Sequence, residues 1–499
     1  MIAGGRIADI LGGPDQAALD ELPRMLPDLT TPELFDLLEL MEDPEIFRNR
    51  LPLRLKLYAR FAEEAPDPAF RLLALLRLLR RLGSRKDVPD LGEIPEKTED
   101  FAEYLARHAG DLCDDDSFAS AVESLAAATR AYRSGDLRSM RAATEKGLKA
   151  LRNVPVWENP PAIIGLIDLA VAETGHELTS MAATAAFRAG DVNLARELVD
   201  DWADTITAWE GVLGPLPRQR YQYYQLVGYL DYEVGLYEQA LAAYSKALEY
   251  SPTPYRSAFL WLSQAQIERV LGQHDPQSWK HASDAIWALL ASPYPQTAAT
   301  WIEWLALDSD TPEKAAEIEN MRSELEKAGG VEINRVTRAM TELYRLLAKL
   351  HRFADPEEIA RTLNGLIDEL EKAGSWPNLV TLLATRAVVA GRLNDRESMD
   401  EAIGKARAVM ASRLDVDSRP PAEFLLESAH ALALRDVGAY DEAFSALFER
   451  ALEARRKYPG AYGPDERTAV EALYYLGALA GNDPDTIEKR IRDTIRHEG

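Results

Sequence analysis

The side chains of this 499-residue chain best suited to metal binding or nucleophilic chemistry are seven histidines and one cysteine. The histidines stand at 108, 176, 274, 281, 351, 430 and 497 and form no cluster in the sequence. His274 and His281 are seven apart and could share a helical face, but Asp275-Pro276 starts a helix only after His274. Scattered surface histidines are the simpler reading, and no metal is expected. Asp114-Asp115-Asp116-Ser117 could hold a cation. It directly precedes a helix, however, where acidic side chains accept the first amides and complement the dipole. Beside that run the Cys113 thiol should be raised, the wrong direction for a nucleophile. The chain has no GxxxxGK[ST] phosphate loop, no GxSxG elbow, no HExxH and no calcium-loop pattern. No catalytic residue and no cofactor are expected.

Composition narrows the class further. With 82 acidic and 57 basic residues the net charge is −25, which opposes nucleic acid and anionic lipid at long range. A single cysteine cannot form an internal disulfide. No run approaches 18 consecutive apolar residues, and Arg6 and Asp9 interrupt the apolar N-terminal stretch, so a signal peptide and a membrane span are not expected. A cytoplasmic location follows as the expectation. Only 20 valines and 20 isoleucines occur, so large sheets are disfavoured and an all-α chain is predicted.

What would position any site is a repeat. Residues 221–252 read YQYYQLVGYLDYEVGLYEQALAAYSKALEYSP. With Tyr221 as position 1, aromatics fall at Tyr224, Tyr237 and Tyr244, small residues at Gly228 and Ala240, a turn glycine at Gly235, and Pro252 closes the unit. This segment resembles the tetratricopeptide repeat, a helix–turn–helix unit of about 34 residues. Gly228 and Ala240 let the two helices approach, and the tyrosines fill the gaps around them. Asp231 departs from the family, which places a large residue there. One such hairpin cannot bury its apolar face, so stacked neighbours are implied.

Weaker copies share the spacing. Residues 121–155 turn at Gly135-Asp136-Leu137, residues 176–208 at Gly190-Asp191-Val192, and residues 424–459 at Gly438-Ala439-Tyr440. The tract 258–293 carries Trp261, Ala265 and Gly272. Further hairpins are expected around Asp355-Pro356, Gly374 to Pro377, and Gly391. The stretch Gly83 to Pro95 reads as a linker, and Asp308 to Pro312 as a cap followed by a helix start. The resulting organisation is an N-terminal helical region at 1–95 with helices near 32–42, 47–64 and 68–82. Tetratricopeptide-like repeats follow at 96–310 and C-terminal helical repeats at 311–499. The expected fold class is an all-α superhelical solenoid with an N-terminal helical cap.

In the tetratricopeptide family the first helix of each hairpin lines a concave groove through positions 2, 5, 9, 12 and 13. The resemblance carries these roles to Gln222, Gln225, Tyr229, Tyr232 and Glu233. In the weaker copies it carries them to Tyr132, Arg133, Phe187 and Arg188. Consensus packing requires none of the five in the best copy, so their exposure is expected. Aromatic, amide and arginine side chains suit an extended or helical peptide. Family members that bind chaperone tails use a lysine and asparagine clamp, and Gln225 and Tyr229 stand in those places here. Seven of nine tryptophans fall between Trp202 and Trp304, and either core packing or binding could account for them.

Charge is segregated. Between Arg48 and Lys86 there are 11 basic and three acidic residues; between Asp87 and Glu123 there are 12 acidic and two basic. The segment 48–86 could face nucleic acid or another anionic partner, or the two segments could neutralise each other. The reading that follows is a non-catalytic protein-interaction scaffold or regulatory adaptor that holds a protein or peptide partner in the groove. A regulator touching nucleic acid through 48–86 is the alternative.

Overall fold

In the computed structural model, the described residues are 2–446 and 489, apart from 43–45, 48–49, 82–90, 92–94, 96–97, 235, 252–253, 271–275, 293–294, 308, 310, 328–334, 352–354 and 415–418. They are helical almost throughout, with no strand among them. In chain order the helices are α1 (Ile2–Gly12), α2 (Asp15–Met25), α3 (Thr31–Glu42), α4 (Leu51–Glu64), α5 (Pro68–Arg81), α6 (Thr98–Leu112), α7 (Asp116–Ser134), α8 (Leu137–Leu151), α9 (Pro155–Glu158), α10 (Leu166–Ala189) and α11 (Val192–Leu213). They continue as α12 (Pro217–Glu233), α13 (Tyr237–Glu249), α14 (Pro254–Val270), α15 (Pro276–Leu290), α16 (Ala298–Ala306), α17 (Pro312–Lys327), α18 (Arg335–His351), α19 (Pro356–Ala373), α20 (Trp376–Arg392), α21 (Arg396–Arg413) and α22 (Arg419–Asp436).

One turn device recurs between paired helices. The first helix ends in a left-handed residue, and the next residue caps the second helix. Gly135 (φ 70°), Gly190 (φ 82°) and Asn394 (φ 54°) hold the left-handed position. Asp136, Asp191 and Asp395 follow them and accept amides from Ser139, Leu194 and Ser398. In each turn the Asp amide also reaches back to a carbonyl of the preceding helix: Ala131, Ala186 and Ala390, at 2.9 Å each. In each turn these bonds satisfy an orphan carbonyl of the first helix and an orphan amide of the second. Of the expected turns that lie among the described residues, Gly391 is displaced. It stays inside α20, where a Cβ would stand 2.7 Å from the Ala433 backbone of α22, and the chain turns just beyond it at Asn394. Gly235, Pro252, Gly272, most of the expected linker and the loops after 446 lie outside the described residues.

The chain forms two compact units. The first comprises residues 1–185, 198–220 and 330–333. Its core gathers Leu37, Tyr58, Phe61, Phe70, Phe101 and Phe118, all buried, from successive helices. The expected N-terminal helices correspond to α3, α4 and α5. Sequence reading did not anticipate α1 and α2. Ile7 and Leu11 of α1 bury against this core, and Arg50 ties the end of α1 down by donating to the carbonyls of Leu11 (2.6 Å) and Gly13 (2.9 Å). That tie is a tertiary contact, invisible to local periodicity.

The second unit comprises 186–197, 221–329 and 334–499. Its helices pack on near neighbours in sequence: α13 on α14, α14 on α15, α18 on α19, α19 on α20, and α20 on both α21 and α22. Helix–turn–helix pairs that each bury their apolar face on the next define a helical-repeat, α-solenoid fold. In the 221–252 hairpin a Cβ on Gly228 would overlap the Tyr244 ring, so only glycine allows α12 and α13 this close. Ala240 is fully buried beside them, as the repeat pattern requires.

Candidate functional site

The residues singled out for binding converge best on α12. Gln222, Gln225, Tyr229 and Tyr232 are spread over its last three turns and are half-buried. The Tyr229 ring stacks on Phe187 with centroids 5.9 Å apart and planes 12° from parallel. Gln225 Nε2 donates to the Tyr229 hydroxyl at 3.1 Å. Two residues taken from different repeats, Phe187 and Tyr229, therefore form one strip in the second unit. Tyr232 meets Tyr237 at 5.8 Å. A second tyrosine run lies alongside: Tyr223 sits edge-on to Tyr224 (5.0 Å), and Tyr224 stacks on Tyr250 (5.8 Å).

The expected exposure of Tyr229 and Tyr232 is met only in part. Both pack against the hairpin core, and Tyr229 also sits edge-on to Tyr244, the ring beneath Gly228. A phenol ring is long enough to touch the core at its base and reach toward solvent at its tip. Arg188, next to Phe187, is likewise half-buried. Tyr132 packs in the first unit against a patch of Ala131, Leu137, Met140 and Ala185. The side chains of Arg133, in α7, and Glu233, in α12, lie outside the described residues.

Asp231, the departure from the repeat pattern, is buried and accepts from Arg196 Nη2 at 3.0 Å. Burial raises its carboxyl above the ordinary range, and Arg196 opposes that shift. The position at which the sequence departs from the repeat pattern thus holds an ion pair.

A second constellation, in the first unit, escaped sequence reading. Arg77 of α5 is buried and donates through Nε (3.0 Å) and Nη2 (2.6 Å) to Glu173 Oε1 of α10, and through Nη1 to the Leu38 carbonyl (2.7 Å). Arg80 Nη1 stands 2.7 Å from Glu173 Oε2 and its Nε 3.3 Å from Glu177, which also pairs with Arg218. Burial pulls the Arg77 guanidinium down, but Glu173, Tyr58 and Glu42 outweigh it and the group is held more firmly charged than usual. Burial likewise raises Glu173, while Arg77 and Arg80 more than offset it and keep the carboxyl below its ordinary range.

This arrangement turns several of the described arginines of 48–86 away from a basic face. Arg77 and Arg80 turn inward onto α10. Arg54 is buried with its guanidinium 4.4 Å from the Phe47 ring centroid, and Arg71 donates to the Ala62 carbonyl at 2.8 Å. Arg77 and Arg80 serve as internal partners because α10, far along the sequence, supplies the Glu173 carboxylate that both of them meet. Spacing within 48–86 could not show that.

Beside the ion pairs lies a tryptophan cage. Trp202 Nε1 donates to His176 Nδ1 at 2.9 Å, Trp209 Nε1 donates to the Trp157 carbonyl at 3.0 Å, and Trp157 sits edge-on to His176 at 5.2 Å. Since an indole nitrogen can only donate, His176 carries its proton on Nε2, which is buried without a hydrogen-bond partner. Burial, then Arg80, depress the imidazole to about 3, with Glu173 opposing. Trp202 and Trp209 are core residues; Trp261 is the tryptophan that stays exposed, at 45%.

Elsewhere, Asp115 accepts the Phe118 amide at 2.8 Å and caps α7, so the acidic run works as a helix start. The Cys113 thiol is pushed up to about 12 by burial, then by Asp114 and Asp115. Among the described residues no three His, Cys, Asp or Glu side chains gather as a metal site, and no helix is long and apolar enough to cross a membrane. His274 lies outside the described residues.

No protein-family model matches the chain, and no curated protein matches it. Among solved structures, a Rap protein complexed with competence and sporulation factor is similar at 13% identity and a TM-score of 0.39, over 72% of this chain and 98% of that one. A circular tandem repeat protein with a novel repeat topology is similar at 15% identity and a TM-score of 0.16, over 99% of each chain. At those scores neither likeness bears on function, and the helical-repeat assignment rests on the helices themselves.

Proposed function

We propose that this chain is a non-catalytic protein-interaction scaffold or regulatory adaptor, cytoplasmic, of the tetratricopeptide-like kind. Its partner is an extended or helical peptide segment laid across the α12 strip. The observation that carries the reading is the stacked pair of Phe187 and Tyr229 with Gln225 bound to the tyrosine hydroxyl. Ring faces, a phenol and a primary amide from neighbouring repeats form one half-buried surface. Such groups bind apolar and backbone features of a peptide and break no bonds.

The test is capture of partners from the native host by tethered wild-type chain and by a Tyr229→Ala, Tyr232→Ala double variant, with affinities measured for what is retained. The tyrosine pair should cost about 2 kcal/mol or more of binding. Gly228→Ala is the packing control: its new methyl overlaps Tyr244, so it should cost roughly 1–3 kcal/mol of folding stability. Unaltered binding by the tyrosine pair would sink the reading.

A further inference from the structure

Helical arrays are built from contacts between sequence neighbours, and one contact inside the second unit breaks that rule. The turn between α10 and α11 sits against the far hairpins. A Cβ on Gly190 would overlap Leu414 Cδ2 and stand 3.2 Å from Pro377 Cγ. Leu414 caps α21 and is buried, and Pro377 lies in the first turn of α20. The residues next to the two in the seat are themselves paired: the Arg413 guanidinium lies over the Trp376 ring at 5.0 Å. Gly190 is suited twice over. Its φ of 82° is one that side chains rarely adopt, and the seat has no room for a Cβ.

The same turn holds the candidate strip together. The Gly190 amide donates to the Phe187 carbonyl at 2.9 Å, so the residue in the seat and the residue stacked on Tyr229 belong to one hydrogen-bonded turn.

We infer that the α10–α11 turn is a clasp with two seats, the Tyr229 ring and the Pro377–Leu414 pocket, which couples the aromatic strip to the α20–α21 end of the unit. A peptide that competes for Phe187 or Tyr229 loosens the distant seat, and loosening that seat frees the strip. The ligand half of this inference rests on the peptide-binding reading; the coupling half does not.

Hydrogen–deuterium exchange on the full chain, without partner, tests the coupling. Leu414→Ala should speed amide exchange about fivefold or more at 226–230 as well as at 186–191. Phe187→Ala should return the effect at 376–380 and 410–414, because coupling is reciprocal. Exchange that rises only beside each substitution overturns the clasp while leaving the peptide reading standing. Should Leu414→Ala also speed α4 and α5, the whole chain is opening. Leu414→Val then decides: a smaller paired rise at 186–191 and 226–230 supports the clasp, and a rise confined to 410–414 overturns it.

Discussion

Helices α10 and α12 face the same packing problem and solve it with opposite chemistry. In the first unit, α10 buries charge and imidazole: Glu173 among Arg77 and Arg80, and His176 between Trp202 and Trp157. In the second, α12 presents Tyr229 and Tyr232 half-buried, each resting on another ring. A buried ion pair is unforgiving, since either partner left alone is a desolvated charge, so the α10 cluster admits one arrangement. Half-buried phenols keep their contacts through small rotations and still offer a face to solvent. The first chemistry suits a fixed joint and the second a surface that receives a partner.

The largest expected effect lies in the joint. Arg77→Ala strands Glu173 with Arg80 alone and should cost about 3 kcal/mol or more in urea unfolding. Replacing both, Arg77→Met with Glu173→Leu, should recover most of it. A double variant as unstable as the single one would show that the pair supplies more than mutual neutralisation.

Next comes pH. His176 is depressed to about 3 in the folded chain, against an unfolded value near 6.5. The unfolded state therefore binds a proton that the folded state refuses. The stability is fully present above about pH 6.5 and is lost as pH falls toward 3, at about 1.4 kcal/mol per pH unit. His176→Gln, which can still accept from Trp202, should remove that slope. Glu173 adds a loss in the same direction, but only below the ordinary carboxylate range, because its folded value is lowered. An unchanged slope in the glutamine variant would mean that His176 is hydrated and titrates normally.

The smallest effect is expected at Asp231. Its partner Arg196 keeps 39% of its side chain exposed and can be hydrated once released. Asp231→Leu restores the large residue usual at that position of the repeat, and should change stability by no more than about 1 kcal/mol. A loss as large as that at Arg77 would erase the contrast between the two units.

Local order was legible in the chain. The all-α class follows from composition, and the hairpin turns follow from residues two or three apart, because a left-handed residue and an aspartate cap act over a few peptide units. Gly228 could be assigned to the packing side from its place in the repeat. What tertiary structure decided are the pairings over long separations. Arg77 meets Glu173, His176 meets Trp202 from the next helix, and Gly190 meets Leu414. Arg77 and Arg80 therefore read in the sequence as part of a basic segment, and in the fold they join α5 to α10. Periodicity records which face of a helix is apolar. It carries no record of which distant helix will supply a counter-charge, a ring or a leucine, because that depends on how the hairpins stack.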